Sequence, residues 1–223
     1  MTPRSFRVVA IDGPSGAGKG TIARRVADAL GYRHVDTGAM YRAVGWKALH
    51  DGVALDDEAA MGALARRADL RLDGTHVAID GHDVTRAIRT SEIDRAATAV
   101  ARLPAVRQAL VARQRALGAE GAVVMEGRDI GTVVFPDARI KIYLDASTEE
   151  RARRRANDPA HTGGEVGSAG VADAIAARDL ADTTRAVSPL VASAEAVRID
   201  TTSLSIDEVF ARVMELIERI GDR

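Results

Sequence analysis

The sequence predicts a three-layer α/β fold in which a parallel central sheet is flanked by helices. Three observations carry that expectation. Apolar runs of buried-strand length, Phe6–Ile11, Ala122–Met125 and Ile140–Leu144, with a weaker one at Ala196–Ile199, alternate with helical patterns. A glycine-rich stretch joins the first of these runs to the first helix. The three later runs each meet an acidic residue, Glu126, Asp145 and Asp200. Capping boxes after two of them, Ser147 with Glu150 and Ser205 with Glu208, mark helices that start directly.

The elements follow in order. Phe6–Ile11 is β-branched and runs into Asp12-Gly13-Pro14, so it reads as a buried strand entering a loop. Ile22, Ala23, Val26, Ala27 and Leu30 form one face of a helix over Lys19–Leu30, which Gly31 stops. Arg33–Val35 is the second strand, and helices follow over Ala39–Asp51 and Asp57–Ala68. From Leu70 to Ile88 the pattern changes to alternation broken by Asp73-Gly74 and Asp80-Gly81, the signals of a small antiparallel sheet. Thr90–Arg102 and Ala105–Gly118 read as helices separated at Pro104. Asn157–Gly170, with Pro159 and four glycines, reads as a mobile loop. No internal repeat or heptad seam is present.

Composition excludes several functions. Thirty-one basic residues against 32 acidic ones give a net charge of -1, so the molecule is not a polycation built to coat nucleic acid. Seven aromatic residues are too few for a base-stacking surface. The absence of cysteine excludes disulfides, thiolate metal sites and thiol catalysis, and suits a reducing cytoplasm. No apolar run is long enough to span a membrane, and Met1–Arg7 lacks a signal-peptide core. The histidines show no metal-ligand spacing, and no Gly-x-Ser-x-Gly elbow occurs. A near-neutral chain without an exposed seam is expected to be a monomer.

The strongest motif is Gly13-Pro14-Ser15-Gly16-Ala17-Gly18-Lys19-Gly20-Thr21. Its glycines let several backbone N–H groups converge on one anion, the helix behind it adds its dipole, and Lys19 adds a full charge. That combination suits a nucleoside triphosphate with Mg²⁺. The usual pattern has Ser or Thr after the lysine; here Gly20 stands there and Thr21 follows.

Three weaker constellations accompany it. Asp36-Thr37-Gly38-Ala39-Met40-Tyr41-Arg42 leaves the second strand at the sheet's carboxyl edge, and equally suits a plain helix cap with a solvated Arg42. Glu126-Gly127-Arg128-Asp129-Ile130-Gly131-Thr132 places an Arg and an Asp between glycines, either for a polar ligand or as a turn salt bridge. Arg178, Asp182 and Arg185 share a helical face, which also describes a surface ion-pair ladder. Arg151, Arg153, Arg154 and Arg155 are too crowded to face one ligand together.

Together these segments resemble the bacterial cytidylate kinases. The resemblance runs nearly end to end, and Gly127–Ala138 (GRDIGTVVFPDA) is much more specific than the phosphate loop. It implies a single P-loop kinase domain over 1–223, with a monophosphate-binding insertion at about 63–90 and a lid at about 154–172. Gly-Lys-Gly-Thr is the monophosphate-kinase form of the loop. The implied reaction moves the ATP γ-phosphoryl group to CMP or dCMP, with Lys19, Arg128 and Arg185 as catalytic cations. The loop Gly13–Thr21 and Arg154 would bind ATP, and Mg²⁺ would be held mainly by the ATP phosphates, with no direct protein ligand.

On the acceptor side the resemblance implies that Arg42, Arg128 and Arg185 hold the phosphate, and that Arg178 and Asp182 meet the ribose. Tyr41 would wall the site. Thr98, Arg107 and Asp129 would read cytosine, and Thr37 and Thr98 stand where serine is common. The glycine-rich stretch 157–170 departs from the charged lid helix of relatives. A kinase of another small acceptor and a nucleotide-binding switch remain the alternatives.

Overall fold

A computed structural model describes residues 7–158 and 168–221. Strand β1 (Val8–Asp12) runs through the glycine loop into helix α1 (Lys19–Leu30), which Gly31 ends in a left-handed conformation. Phe6, expected to begin that strand, lies outside the described residues. Strand β2 (Arg33–Asp36) passes directly into α2 (Thr37–Asp51). The helix starts two residues before the expected Ala39, because the Asp36 carboxylate accepts the Ala39 N–H at 3.0 Å and caps it. Helix α3 (Glu58–Arg67) is capped in the same way by Asp57.

Strands β3 (Leu70–Asp73), β4 (His76–Ile79) and β5 (His82–Asp83) form the expected antiparallel sheet. Asp80 and Gly81 both adopt positive φ at its second turn, the geometry a tight right-twisted hairpin requires. Helices α4 (Ser91–Val100) and α5 (Pro104–Glu120) follow, Pro104 opening α5 as a first-turn residue.

Strand β6 (Val123–Gly127), a π-helical turn (Ile130–Val134), β7 (Ile140–Asp145) and α6 (Thr148–Ala156) return the chain to the main sheet. Helix α7 (Ser168–Thr184), β8 (Val197–Asp200) and α8 (Ile206–Gly221) complete it. All five main-sheet strands are parallel, in the order β2-β6-β1-β7-β8.

Alternation along β1 explains the layers. Val9 and Ile11 join the apolar cluster with Ile22 and Val26 of α1 and Val213 and Ile217 of α8. Ala10 faces the opposite side with Val35, Met125 and Ile130. A third cluster, containing Met40, Met61, Ile79 and Leu110, ties α2, α3 and α5 to the small sheet. Among the described residues no helix is long and apolar enough to cross a membrane.

Two expectations need correction. Ser168 to Gly170, placed in the irregular stretch, belong to α7, because the alanine-rich run behind them extends the helix backwards; 159–167 lie outside the described residues. Arg185 does not share a helical face with Arg178 and Asp182. The helix ends at Thr184, and the chain turns through Ser188, whose φ is 53°.

Candidate active site

The glycine loop leaves the carboxyl end of the central strand, where open α/β sheets bind ligands. Gly13 shows why the sequence needs glycine there. Its φ is 147°, and a Cβ would stand 2.0 Å from the Leu144 carbonyl oxygen. Gly13→Ala is expected to cost at least about 3 kcal/mol, lowering Tm by about 6–12 °C in thermal denaturation. A Tm within about 2 °C of the parent would show that the loop shifts freely.

From beneath, Arg151 supports the loop. It is buried, and its guanidinium donates to the Ser15 carbonyl at 3.2 Å, the Ala146 carbonyl at 3.0 Å and Asp179 at 2.5 Å. Lys19 is 6% exposed and donates from Nζ to the Pro14 carbonyl at 2.7 Å. Burial, and then the charge of Arg128, lower its ammonium to about 7.

Asp12 accepts from the Ile130 and Gly131 N–H groups, both at 2.8 Å, and so pins the π-helical turn to β1. Burial pushes its carboxyl up to about 6 against those two bonds. The Glu126 carboxylate meets His34 Nε2 at 2.9 Å and lies 3.2 Å from where a Gly20 Cβ would be.

The acceptor-side candidates come from five separate segments, and the fold brings most of them together. Arg128 Nε donates to Asp182 at 2.9 Å. Arg185 stands 3.8 Å from Asp182 and 3.7 Å from Asp129. Asp129 takes a hydrogen bond from Arg107, whose guanidinium lies 5.7 Å from the Tyr41 ring centre. The result is a chain of alternating charge, Arg128–Asp182–Arg185–Asp129–Arg107, backed by an aromatic wall. Arg107 Nε and Nη1 are buried without a hydrogen-bond partner among the described residues, so they are poised for an acceptor atom.

This arrangement overturns the surface-ladder reading, since Asp182 and Arg185 are each 7% exposed. It overturns the turn-salt-bridge reading as well. Arg128 and Asp129 pair with Asp182 and Arg107 rather than with each other. Asp36 is more than a cap. It binds Arg42 at 2.8 Å, and although burial raises its carboxyl, Arg42 and the Ala39 N–H outweigh that and hold it at about 2.

Other candidates are engaged within the protein. The Thr37 hydroxyl donates to the Glu126 carbonyl at 2.7 Å. The Thr98 hydroxyl donates to the Asp94 carbonyl of its own helix at 2.8 Å, and no hydrogen bond among the described residues joins it to Arg107 or Asp129. Arg154 binds Glu150 at 2.8 Å and donates to the Thr201 hydroxyl and carbonyl at 2.9 and 2.6 Å, with one nitrogen 3.8 Å from where a Gly18 Cβ would be. Arg153 is two-thirds exposed and paired with Glu150.

A cleft of about 1210 Å³ runs over this surface. The loop Ser15–Thr21 lines one end, Arg42, Arg128 and Arg178 lie within it, and Arg86 and Arg89 border it from the small-sheet side. The volume exceeds that of an ordinary single-ligand pocket. Tyr41, Arg107, Asp129, Asp182 and Arg185 do not line it; Tyr41 is half-buried and the other four are buried. Chemically, one glycine-walled anion cradle faces a second cluster of guanidinium groups across a shared cleft.

Sequence reading missed Asp12 and Asp94 as parts of this site. Asp12 had a signal, an acid at the last position of a buried strand before the loop. Asp94 had none: it is one acid in the first turn of a helix.

A sequence model of the cytidylate kinase family matches residues 9–219. The chain is 49% identical over 218 residues to a cytidylate kinase of Geobacillus sp. (strain WCH70), covering 96% of this chain and 97% of that one. It is 47% identical to a cytidylate kinase of Bacillus subtilis (strain 168), covering 95% and 96%. In fold it is similar to a gluconokinase from Sinorhizobium meliloti 1021, with a TM-score of 0.50, 14% identity and coverage of 97% and 95%.

Proposed function

The chain belongs to the cytidylate kinase family, and from that premise we propose that it moves the ATP γ-phosphoryl group to CMP or dCMP, releasing ADP and CDP or dCDP. The observation that carries the reading is the pairing of two anion-binding clusters across one cleft. The glycine loop with Lys19 takes the donor; Arg42 and Arg128 in the cleft, with Arg185 buried beside them, take the acceptor phosphate. A nucleotide switch needs only the first cluster.

The attacking atom is a phosphate oxygen of CMP, already ionised at neutral pH. It bonds to the γ-phosphorus as the bond from phosphorus to the β–γ bridging oxygen breaks, and ADP carries away the electron pair. No general base is required. The protein's work is to align two polyanions and to place cations where charge spreads. Lys19 meets the outer ATP phosphates, and Arg128 and Arg185 flank the transferring group. Asp182 keeps the two arginines apart and oriented. Arg178 and Asp182 meet the ribose, Tyr41 walls the base, and Arg107 and Asp129 read its edge. Asp129 accepts from the cytosine 4-amino group, where uracil would present a repelled carbonyl.

Mg²⁺ is the ion this reading implies. Gly20 offers no hydroxyl after Lys19, both Asp12 oxygens are occupied by backbone N–H groups, and Glu126 faces Gly20. That donor set fits an ion that would be held mainly by the ATP phosphates, with Glu126 and Thr21, which line the cleft beside the loop, helping to hold it. When bound, the ion neutralises phosphate charge.

The test is ADP release with ATP and Mg²⁺, comparing CMP, dCMP, UMP, AMP and GMP as acceptors. Turnover confined to the two cytidine nucleotides is expected. Turnover with another acceptor alone would overturn the reading, and ATP binding without turnover would favour a switch.

Proton uptake follows from the Lys19 environment. Phosphate charge raises an ammonium that burial lowers to about 7, so ATP binding at about pH 8 takes up a proton and weakens as pH rises. Calorimetry in buffers of different ionisation enthalpy reads the uptake. Lys19→Met is expected to remove the Lys19 share of it, and an unchanged value in that variant would place the proton elsewhere.

A further inference from the structure

Asp94 sits in the first turn of α4 and lines the cleft. Its two carboxylate oxygens are divided between two other helices. Oδ1 accepts from Arg178 of α7 at 3.1 Å, and Oδ2 accepts from Arg155 of α6. All three side chains are largely buried, with 16% exposure at Asp94, 17% at Arg178 and 23% at Arg155. All three residues line the cleft.

The charge around Arg178 makes this carboxylate matter. The fields of Arg128 and Arg42 both act against a charged Arg178, and Asp94 and Asp182 are the acids that offset them. Such a cluster of guanidinium groups spreads unless something fixes it, and a bond from a different helix fixes both position and direction. The second bond carries that constraint onward, because Arg155 is two residues from Arg153 and adjacent to Arg154 at the donor end. Asp94 therefore links the acceptor end of the cleft to α6, the helix that buttresses the glycine loop through Arg151.

We propose that Asp94 is a positioning residue, its carboxylate holding Arg178 against the acceptor ribose while tying α4 to α6 through Arg155. The inference rests on the reading of the chain as a CMP kinase, with Arg178 on the ribose. Asp94 does not touch substrate; it acts through the two arginines. Losing the carboxylate lets Arg178 withdraw from the acceptor, while Lys19, Arg128 and Arg185 keep their places.

Asp94→Asn is the informative variant, since it keeps the shape and removes the charge. The expected result is a rise in KM for CMP of about tenfold with kcat within about threefold. The preference for CMP over dCMP, taken as the ratio of kcat/KM, is expected to fall, because a displaced Arg178 reads the ribose less well. Asp94→Glu is expected to restore part of both. Arg178→Met is expected to give the same loss of preference, with the double variant Asp94→Asn/Arg178→Met no worse than Arg178→Met alone.

A purely structural role would lower Tm and reduce CMP and dCMP turnover by one common factor, which would overturn the proposal. So would unchanged or improved KM for CMP in a variant with parental Tm. A parental protein that turns over no CMP would overturn the acceptor reading itself. Parental turnover with an unaffected Asp94→Asn would overturn only the role of Asp94.

Discussion

Replacing Lys19 with methionine is expected to lower kcat/KM with ATP and CMP by about a thousandfold, equivalent to about 4 kcal/mol of transition-state stabilisation. The size follows from where the charge lies. Lys19 is 6% exposed and already oriented by the Pro14 carbonyl at 2.7 Å, so it needs no reorganisation when charge develops on the phosphates. Methionine fills a similar volume without the charge. Because burial opposes the ammonium in the ligand-free protein, the variant should keep its Tm or gain slightly. A loss of activity with an unchanged Tm assigns the charge to catalysis. Retention of more than about a tenth of parental activity would mean that other cations carry the transferring group.

The second large effect concerns Asp129. Asp129→Asn is expected to lower kcat/KM for CMP by about a hundredfold and the CMP-to-UMP preference by at least about tenfold. Two causes combine. The carboxylate is proposed to accept from the cytosine amino group, and an amide at that position accepts less strongly and can donate to uracil instead. The same carboxylate holds Arg107, with Arg185 at 3.7 Å, and all three residues are buried. Removing its charge leaves Arg107 buried without a carboxylate, at a stability cost of about 3 kcal/mol. Comparing CMP with UMP at a temperature well below the lowered Tm separates the causes. An unchanged ratio alongside a lower Tm would leave Asp129 as a support for Arg107 rather than a reader of the base.

The origins of these two residues differ. Lys19 belongs to a local motif, and strand, loop and helix are contiguous, so the sequence places its charge at a helix N-terminus. Asp129 was visible as a polar residue between glycines, and only the family resemblance grouped it with Arg107. Local pattern paired it with Arg128, one residue away. The fold instead pairs Asp129 with Arg107 on α5 and Arg128 with Asp182 on α7.

By itself the sequence determined what depends on neighbours along the chain. Its period placed the strands and helices, its Asp-Gly turns placed the small sheet, and its glycine loop placed the proposed donor site. Errors were confined to ends, where one capping bond moves a boundary, as at Asp36, or where a helix extends through poor formers, as at Ser168 to Gly170. Only the tertiary structure decided which charges meet. Parallel strands with helical crossovers bring 36–42, 107, 126–132 and 178–185 to one end of the sheet. There Arg178 turns from one rung of a possible surface ladder into a cleft residue held by Asp94. Charge pairing across 84 positions has no period or motif. It is set by burial, which leaves a guanidinium little water and so favours a carboxylate from whichever helix the fold packs beside it.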